Sequence, residues 1–218
     1  MQTASAKAQG PEFSIITVVC DQAQEVRENL PIVLTQHYEA DYEVIVIDES
    51  SADETPDVLK QLRAIHPHLY STFLPKSQYR QTRRRLALTL GVKAAKNEWL
   101  VIADINTPPA SVEWLQELTE FVGASNKLLL GYFNRKTGDV RLQLFESVDE
   151  AAAIIRKAER RKGTGRKGRW MRYRRGMYDF IVVPTRLGHE TLRLFECDIR
   201  GWRLFGLRLR VFFYNLFH

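Results

Sequence analysis

The stretch Glu43 to Glu54, Glu-Val-Ile-Val-Ile-Asp-Glu-Ser-Ser-Ala-Asp-Glu, narrows the possible folds more than any other part of the chain. Four β-branched residues, Val44 to Ile47, run without a polar break and stop at Asp48-Glu49-Ser50-Ser51. An apolar run this short, closed by turn formers, reads as a strand buried on both faces, the condition of a parallel sheet covered by helices. In open sheets of that kind, ligands bind beyond the carboxyl ends of the strands. Asp48 and Glu49 therefore stand where a ligand would be met, or they cap the following helix, as Ser51 or Asp53 also could. Position alone leaves both readings open.

The same unit recurs on either side. Phe13 to Cys20 reads as a strand that ends at Asp21-Gln22. Val26, Leu30, Val33 and Leu34 then recur at helical spacing between Glu25 and Gln36, with Pro31 either kinking that helix or delaying its start. A helix over Thr55 to Ile65, a strand over Tyr70 to Leu74 and an apolar helix over Leu86 to Ala95 follow. Trp99 to Ala103 is a further strand, ending at Asp104-Ile105-Asn106, and Ser111 is placed to cap a helix over Val112 to Val122. Leu128 to Phe133 gives the next strand. This alternation predicts a doubly wound α/β sheet with crossovers on both faces.

The pattern changes after Gly138. Val140 to Phe145 suits a strand, Ser147 to Arg161 a helix capped by Ser147 with Glu150 three residues on, and Phe180 to Val183 a short strand. Glu190 to Phe195 looks helical, and Trp202 to Phe217 is read as an amphipathic helix, although Leu207 to Val211 also alternates like a strand. The expected organisation is a loose tail at 1–12, a ligand-binding half at 13–135, and a basic, amphipathic region at 136–218.

Charge divides along the same line. Residues 1–153 carry 15 Lys and Arg against 21 Asp and Glu, whereas residues 154–218 carry 17 against 5. A basic third of this kind suits an anionic partner or a solvated face. Its aromatic tail favours peripheral contact with an anionic bilayer over nucleic acid, and no nucleic acid is expected; packing against the sheet is the equal alternative. Two distant cysteines, Cys20 and Cys197, read as reduced thiols, which fits a cytoplasmic protein. Met1 to Glu12 has no apolar core to act as a signal peptide, and no run of about 18 apolar residues would span a membrane.

Two strand ends thus carry acids, Asp48-Glu49 and Asp104 with Asn106. Asp104 and Asn106 offer oxygens of the type that holds a hard divalent ion on a diphosphate. Arg80, Arg83, Arg84 and Arg85 could clamp phosphates in forked geometry.

These residues also carry a family likeness. Ile45-Val-Ile-Asp-Glu-Ser-Ser-Ala-Asp-Glu-Thr55 resembles the Val-Val-Asp-Asp-Gly-Ser-x-Asp-x-Thr segment of family 2 glycosyltransferases with the GT-A fold. Leu34-Thr-Gln-His-Tyr38 is similar to the lead-in, and Gly91 to Asn106 to the segment ending in the Asp-x-Asp motif. The resemblance implies a mixed sheet with a Rossmann-like nucleotide-binding half and a short basic extension. It implies transfer of a sugar from a nucleotide-sugar donor, UDP-linked, to a glycan or lipid-linked acceptor, with inversion, in cell-envelope polysaccharide synthesis on the inner face of the membrane. Asp21 would lie beside the base or ribose, Asp48 would bind the base with Glu49 nearby, and Arg84 would meet phosphate. Asp104 would bind ribose or metal, with Asn106 completing a site for Mn²⁺ or Mg²⁺. Asp198, with Glu196 as the alternative, would be the catalytic base. The chain departs from the family pattern at Asn106, a neutral residue in place of an acid, at Glu49, and at Leu88-Thr89 in place of Arg-Asn. A catalytically silent domain that binds a nucleotide sugar or a partner is the second reading.

Overall fold

A computed structural model of the protein describes residues 10–75, 80–122, 128–133, 140–151, 153 and 179–192. Seven strands form one sheet: β1 (Phe13–Val19), β2 (Tyr42–Asp48), β3 (Leu69–Phe73), β4 (Trp99–Ala103), β5 (Leu128–Phe133), β6 (Val140–Phe145) and β7 (Phe180–Pro184). Their spatial order is β3-β2-β1-β4-β7-β5-β6. The first four in this order are parallel, with Ile16 opposite both Ile45 and Ile102. β7 enters antiparallel between β4 and β5, and β6 pairs antiparallel with β5. The sheet is therefore mixed, and strands on both sides of position 135 belong to it.

Helices cover both faces. α1 (Ala23–Leu34), α2 (Thr55–Ile65) and α4 (Trp114–Val122) bury Val26, Leu30, Val58, Leu59, Trp114 and Leu118 against Phe13, Ile15, Val44, Val46 and Val101. α3 (Arg80–Ala94) buries Ala87, Leu88 and Val92 against Ile16, Ile45, Ile47, Leu100 and Ile102 on the other face. It approaches closely because it crosses Ile16 at Gly91, where an added Cβ would stand 2.6 Å from Ile16 Cγ2. Burial on both faces explains the continuous apolar runs Val44–Ile47 in β2 and Leu100–Ile102 in β4, whereas β3, at the edge, is more polar and partly exposed.

Several expectations need adjusting. α1 starts two residues earlier than read and runs through Pro31 without a break in helical assignment. Pro31 cannot donate to the Arg27 carbonyl one turn back, and Arg27 is exposed, so water can take that place. α3 starts at Arg80, six residues before the expected Leu86. Arg and Gln are good helix formers, but a polar first turn shows no apolar period. Ser111 is not the N-cap expected of it: α4 begins at Trp114 and not at Val112, and Ser111 Oγ accepts from Glu113 N at 2.9 Å in the turn that leads into it. Ser147 Oγ accepts from Glu150 N at 3.2 Å, and the Glu150 carboxylate reaches back to Glu146 N at 2.9 Å, in the manner of a capping box. The expected C-terminal amphipathic helix, the basic stretch before β7 and most of the helix expected to reach Arg161 lie outside the described residues.

Candidate functional site

The parallel strands β1, β2 and β4 end side by side, and each releases a polar residue into its loop. β1 leads to Cys20-Asp21-Gln22, β2 ends at Asp48 and leads to Glu49-Ser50-Ser51, and β4 leads to Asp104-Ile105-Asn106. Both loops beside β1 turn sharply: Asp21 has φ 50° and Ser50 has φ 60°, left-handed values that non-glycine residues rarely adopt. Such conformations persist only where the surroundings hold them.

Here hydrogen bonds between the two loops do so. Asp48, only 4% exposed, accepts at Oδ1 from Ser51 N at 2.9 Å and from Ser51 Oγ at 2.6 Å. Ser51 Oγ in turn accepts from Asp21 N at 2.9 Å. Asp21 Oδ1 accepts from Ala52 N at 2.6 Å, so each loop is fastened to the other. Asp48 Oδ2 accepts no hydrogen bond among the described residues, which leaves it for a ligand. Asp48 is therefore not the cap of α2.

The start of α2 is held instead by Asp53, one of the candidates the sequence allowed, which stands one residue before the N-cap Glu54. Its Oδ1 accepts from Thr55 N at 3.0 Å and its Oδ2 from Ala23 N at 2.9 Å, joining the starts of α1 and α2. Slight desolvation, the largest single influence, raises the Asp53 carboxyl, but hydrogen bonds from the Thr55 side chain and from the Ala23, Thr55 and Asp53 backbone together outweigh it and hold the group below the ordinary Asp range. Replacing Asp53 by Ala is expected to cost about 1–2 kcal/mol of stability, read by chemical denaturation at neutral pH. A depressed folded-state value gives stability that is present above the unfolded Asp range and lost as pH falls through the folded one. The gap between wild type and variant should thus close in acid below the normal Asp range. A gap that stays constant there would assign the loss to something other than the charged carboxylate.

The β4 corner joins this assembly through Gln22. Its Nε2 donates to Asn106 Oδ1 at 3.1 Å, and its backbone N–H donates to Thr55 Oγ1 at 3.0 Å. Asn106 donates from Nδ2 (2.6 Å) and from its backbone N–H (3.0 Å) to Asp104 Oδ1. Asp104 N donates to the Asp179 carbonyl at 3.2 Å, which brings the start of β7 to the same end of the sheet. Neither Gln22 nor Asp179 was singled out from the sequence. The signal for Gln22 was only its position, one residue past an acid at a strand end.

The sequence-derived residues thus divide clearly. Asp21, Asp48, Glu49, Asp104 and Asn106 gather at the carboxyl ends of three adjacent strands. Arg84 is exposed on α3, whose amino end lies at this same end of the sheet because the helix connects two parallel strands. Glu196 and Asp198 lie outside the described residues. Among the described residues, no group of three or more His, Cys, Asp or Glu is arranged to hold a metal ion.

Comparison with known proteins adds the family. A family model described as "Glycosyl transferase family 2" matches residues 14–196. No curated protein sequence matches the chain. Among solved structures, a mannosyltransferase from Pyrobaculum calidifontis in complex with GDP-Man and Mn²⁺ is 22% identical, with a TM-score of 0.51 over 59% of this chain and 37% of its own. TarS 1–349 from S. aureus in complex with UDP is 20% identical, with a TM-score of 0.49 over 56% of this chain and 36% of its own. The chain spans little more than a third of the length of these structures.

Proposed function

Since the chain belongs to glycosyl transferase family 2, we propose that it transfers a sugar from a nucleotide-sugar donor bound at the carboxyl ends of β1, β2 and β4. One observation carries the assignment of the site: the loops after β1 and β2 are fastened together so that buried Asp48 keeps one oxygen for a ligand, while Gln22 ties them to the Asp104 corner. A carboxylate held this way accepts a ring N–H from a base such as uracil or guanine. Asp21 lies beside base or ribose, Glu49 stands nearby, and Asp104 binds ribose. Exposed Arg84 and Arg85 at the amino end of α3 offer forked donors to the diphosphate.

The proposed reaction is a single displacement with inversion. Asp198, or alternatively Glu196, takes the proton of an acceptor hydroxyl, whose oxygen forms a bond to the anomeric carbon as the bond to the diphosphate breaks. The diphosphate leaves with the electron pair, its charge met by the arginines. The basic aromatic C-terminal third suits a glycan or lipid-linked acceptor of the cell envelope, met at the inner membrane face.

Calorimetric titration with UDP and GDP tests the donor site. Binding of at least one of them is expected, with Kd on the order of micromolar, or about 8 kcal/mol. Absence of heat with both, in a protein shown to be folded, would remove the nucleotide-sugar reading.

A further inference from the structure

We infer that the Asp104 corner holds its nucleotide diphosphate without a divalent cation, because the carboxamides of Gln22 and Asn106 occupy the place a cation would take. The inference rests on the nucleotide-sugar reading above and concerns how that site balances charge. The family resemblance implies a cation on Asp104 and Asn106, so the donor set can be tested against one.

Asp104 Oδ1 already accepts two N–H groups from Asn106, at 2.6 and 3.0 Å. Asn106 Oδ1 accepts from Gln22 Nε2 at 3.1 Å, and Gln22 Oε1 accepts from Cys20 N at 3.3 Å. The direction of this chain is forced. Turning the Asn106 amide would set its oxygen 2.6 Å from a carboxylate oxygen and its nitrogen against the Gln22 N–H. Asn106 therefore shows Asp104 its hydrogens, and its carbonyl is spent on Gln22. A hard cation collects six or more oxygen ligands and favours anionic ones. At this corner it would find one carboxylate, half occupied, and a neutral amide turned the wrong way. The residues do not fit the ion.

The contrast with an acid at position 106 sharpens the point. Two carboxylates at that spacing repel, and a cation between them would relieve the repulsion. With Asn106 the repulsion does not arise, and the corner is satisfied by N–H groups alone. The positive charge for the diphosphate then falls to the arginines at the amino end of α3, exposed Arg84 among them, which need no metal to present a fork to phosphate oxygens.

The test titrates wild type with UDP and GDP by calorimetry, first with EDTA and then with Mn²⁺, and follows Mn²⁺ alone by its paramagnetic resonance on wild type and Asn106→Asp. Wild-type affinity should agree within about twofold between the two conditions. Asn106→Asp should bind nucleotide about tenfold more weakly in EDTA, recover with Mn²⁺, and take up Mn²⁺ alone more tightly than wild type. A wild-type affinity that rises about tenfold or more with Mn²⁺ overturns the inference. So does equal uptake of Mn²⁺ alone by wild type and variant, a result that does not depend on any nucleotide binding. Failure of both nucleotides in both conditions strikes the nucleotide-sugar reading instead, and the Mn²⁺ comparison then decides the inference. The wild-type arms need no substitution, so a poorly folded variant cannot leave the question open.

Discussion

Replacing Gly131 by Ala is expected to lower stability by about 3 kcal/mol, the upper end of the range for overpacking a core. Gly131 lies in β5 directly opposite Phe180 in β7. A Cβ at position 131 would sit 2.1 Å from Phe180 Cζ and 2.3 Å from Cε2, far inside van der Waals contact with the tip of the ring. The ring cannot step aside easily, because it is 1% exposed and meets Trp114 edge-on, with centroids 5.1 Å apart at 79°. Displacing it would open the contact with Trp114 or push β5 from β7. For a chain of this size, a loss of about 3 kcal/mol corresponds to a fall in Tm of roughly 6–12 °C, readable by thermal denaturation. The double variant Gly131→Ala with Phe180→Leu should recover part of that loss, since the smaller side chain makes room. A single variant that melts with the wild type would mean that the strands already tolerate the volume.

The second large effect concerns ligand binding. Asp48→Ala should weaken nucleotide binding by roughly 10- to 150-fold, the range for losing a hydrogen bond to a charged group of about 1.5–3 kcal/mol. It also removes the anchor of Ser51, so part of the effect would come from a loosened loop. Asp48→Asn separates the two contributions. Its oxygen can still accept from Ser51 N and Oγ, which holds the loop and turns the new amide nitrogen towards the ligand. A ring N–H would then meet a donor instead of an acceptor, so the Asn variant should fold normally and bind about as poorly as the Ala variant. Calorimetry with whichever nucleotide binds wild type provides the check, and unchanged affinity in Asp48→Asn would take Asp48 out of base recognition.

Much of this architecture was legible because burial on both faces leaves a strong mark. The runs Val44–Ile47 and Leu100–Ile102 are apolar without interruption, Ile15–Val19 is broken only by buried Thr17, and their polar stops mark the site end of the sheet. The likeness in Ile45–Thr55 and Gly91–Asn106 named the family that the match over residues 14–196 bears out. Other features left no such mark. Nothing in the pattern of Phe180–Val183 says that it enters between β4 and β5, since periodicity describes a strand and not its neighbours. The role of Gln22 depends on the direction of one side chain. The choice between Asp48 and Asp53 as the residue that holds the start of α2 depends on distances of a few ångströms between loops that are adjacent in space and some thirty residues apart in sequence.

The late entry of β7 has a consequence for synthesis. As the chain leaves the ribosome, β1 to β4 can pair in parallel well before β7 exists, and until then the outer side of β4 is an open row of unpaired N–H and C=O groups. The same holds for the side of β5 that β7 will cover. Open edges of this kind recruit other strands, so the nascent chain passes through a stage in which self-association competes with completion. Closure depends on a contact between positions distant in sequence, which makes it the slow step of topological assembly. Chains cut short ahead of Phe180 should therefore collect in the insoluble fraction on expression, even though they contain every acid of the candidate donor site.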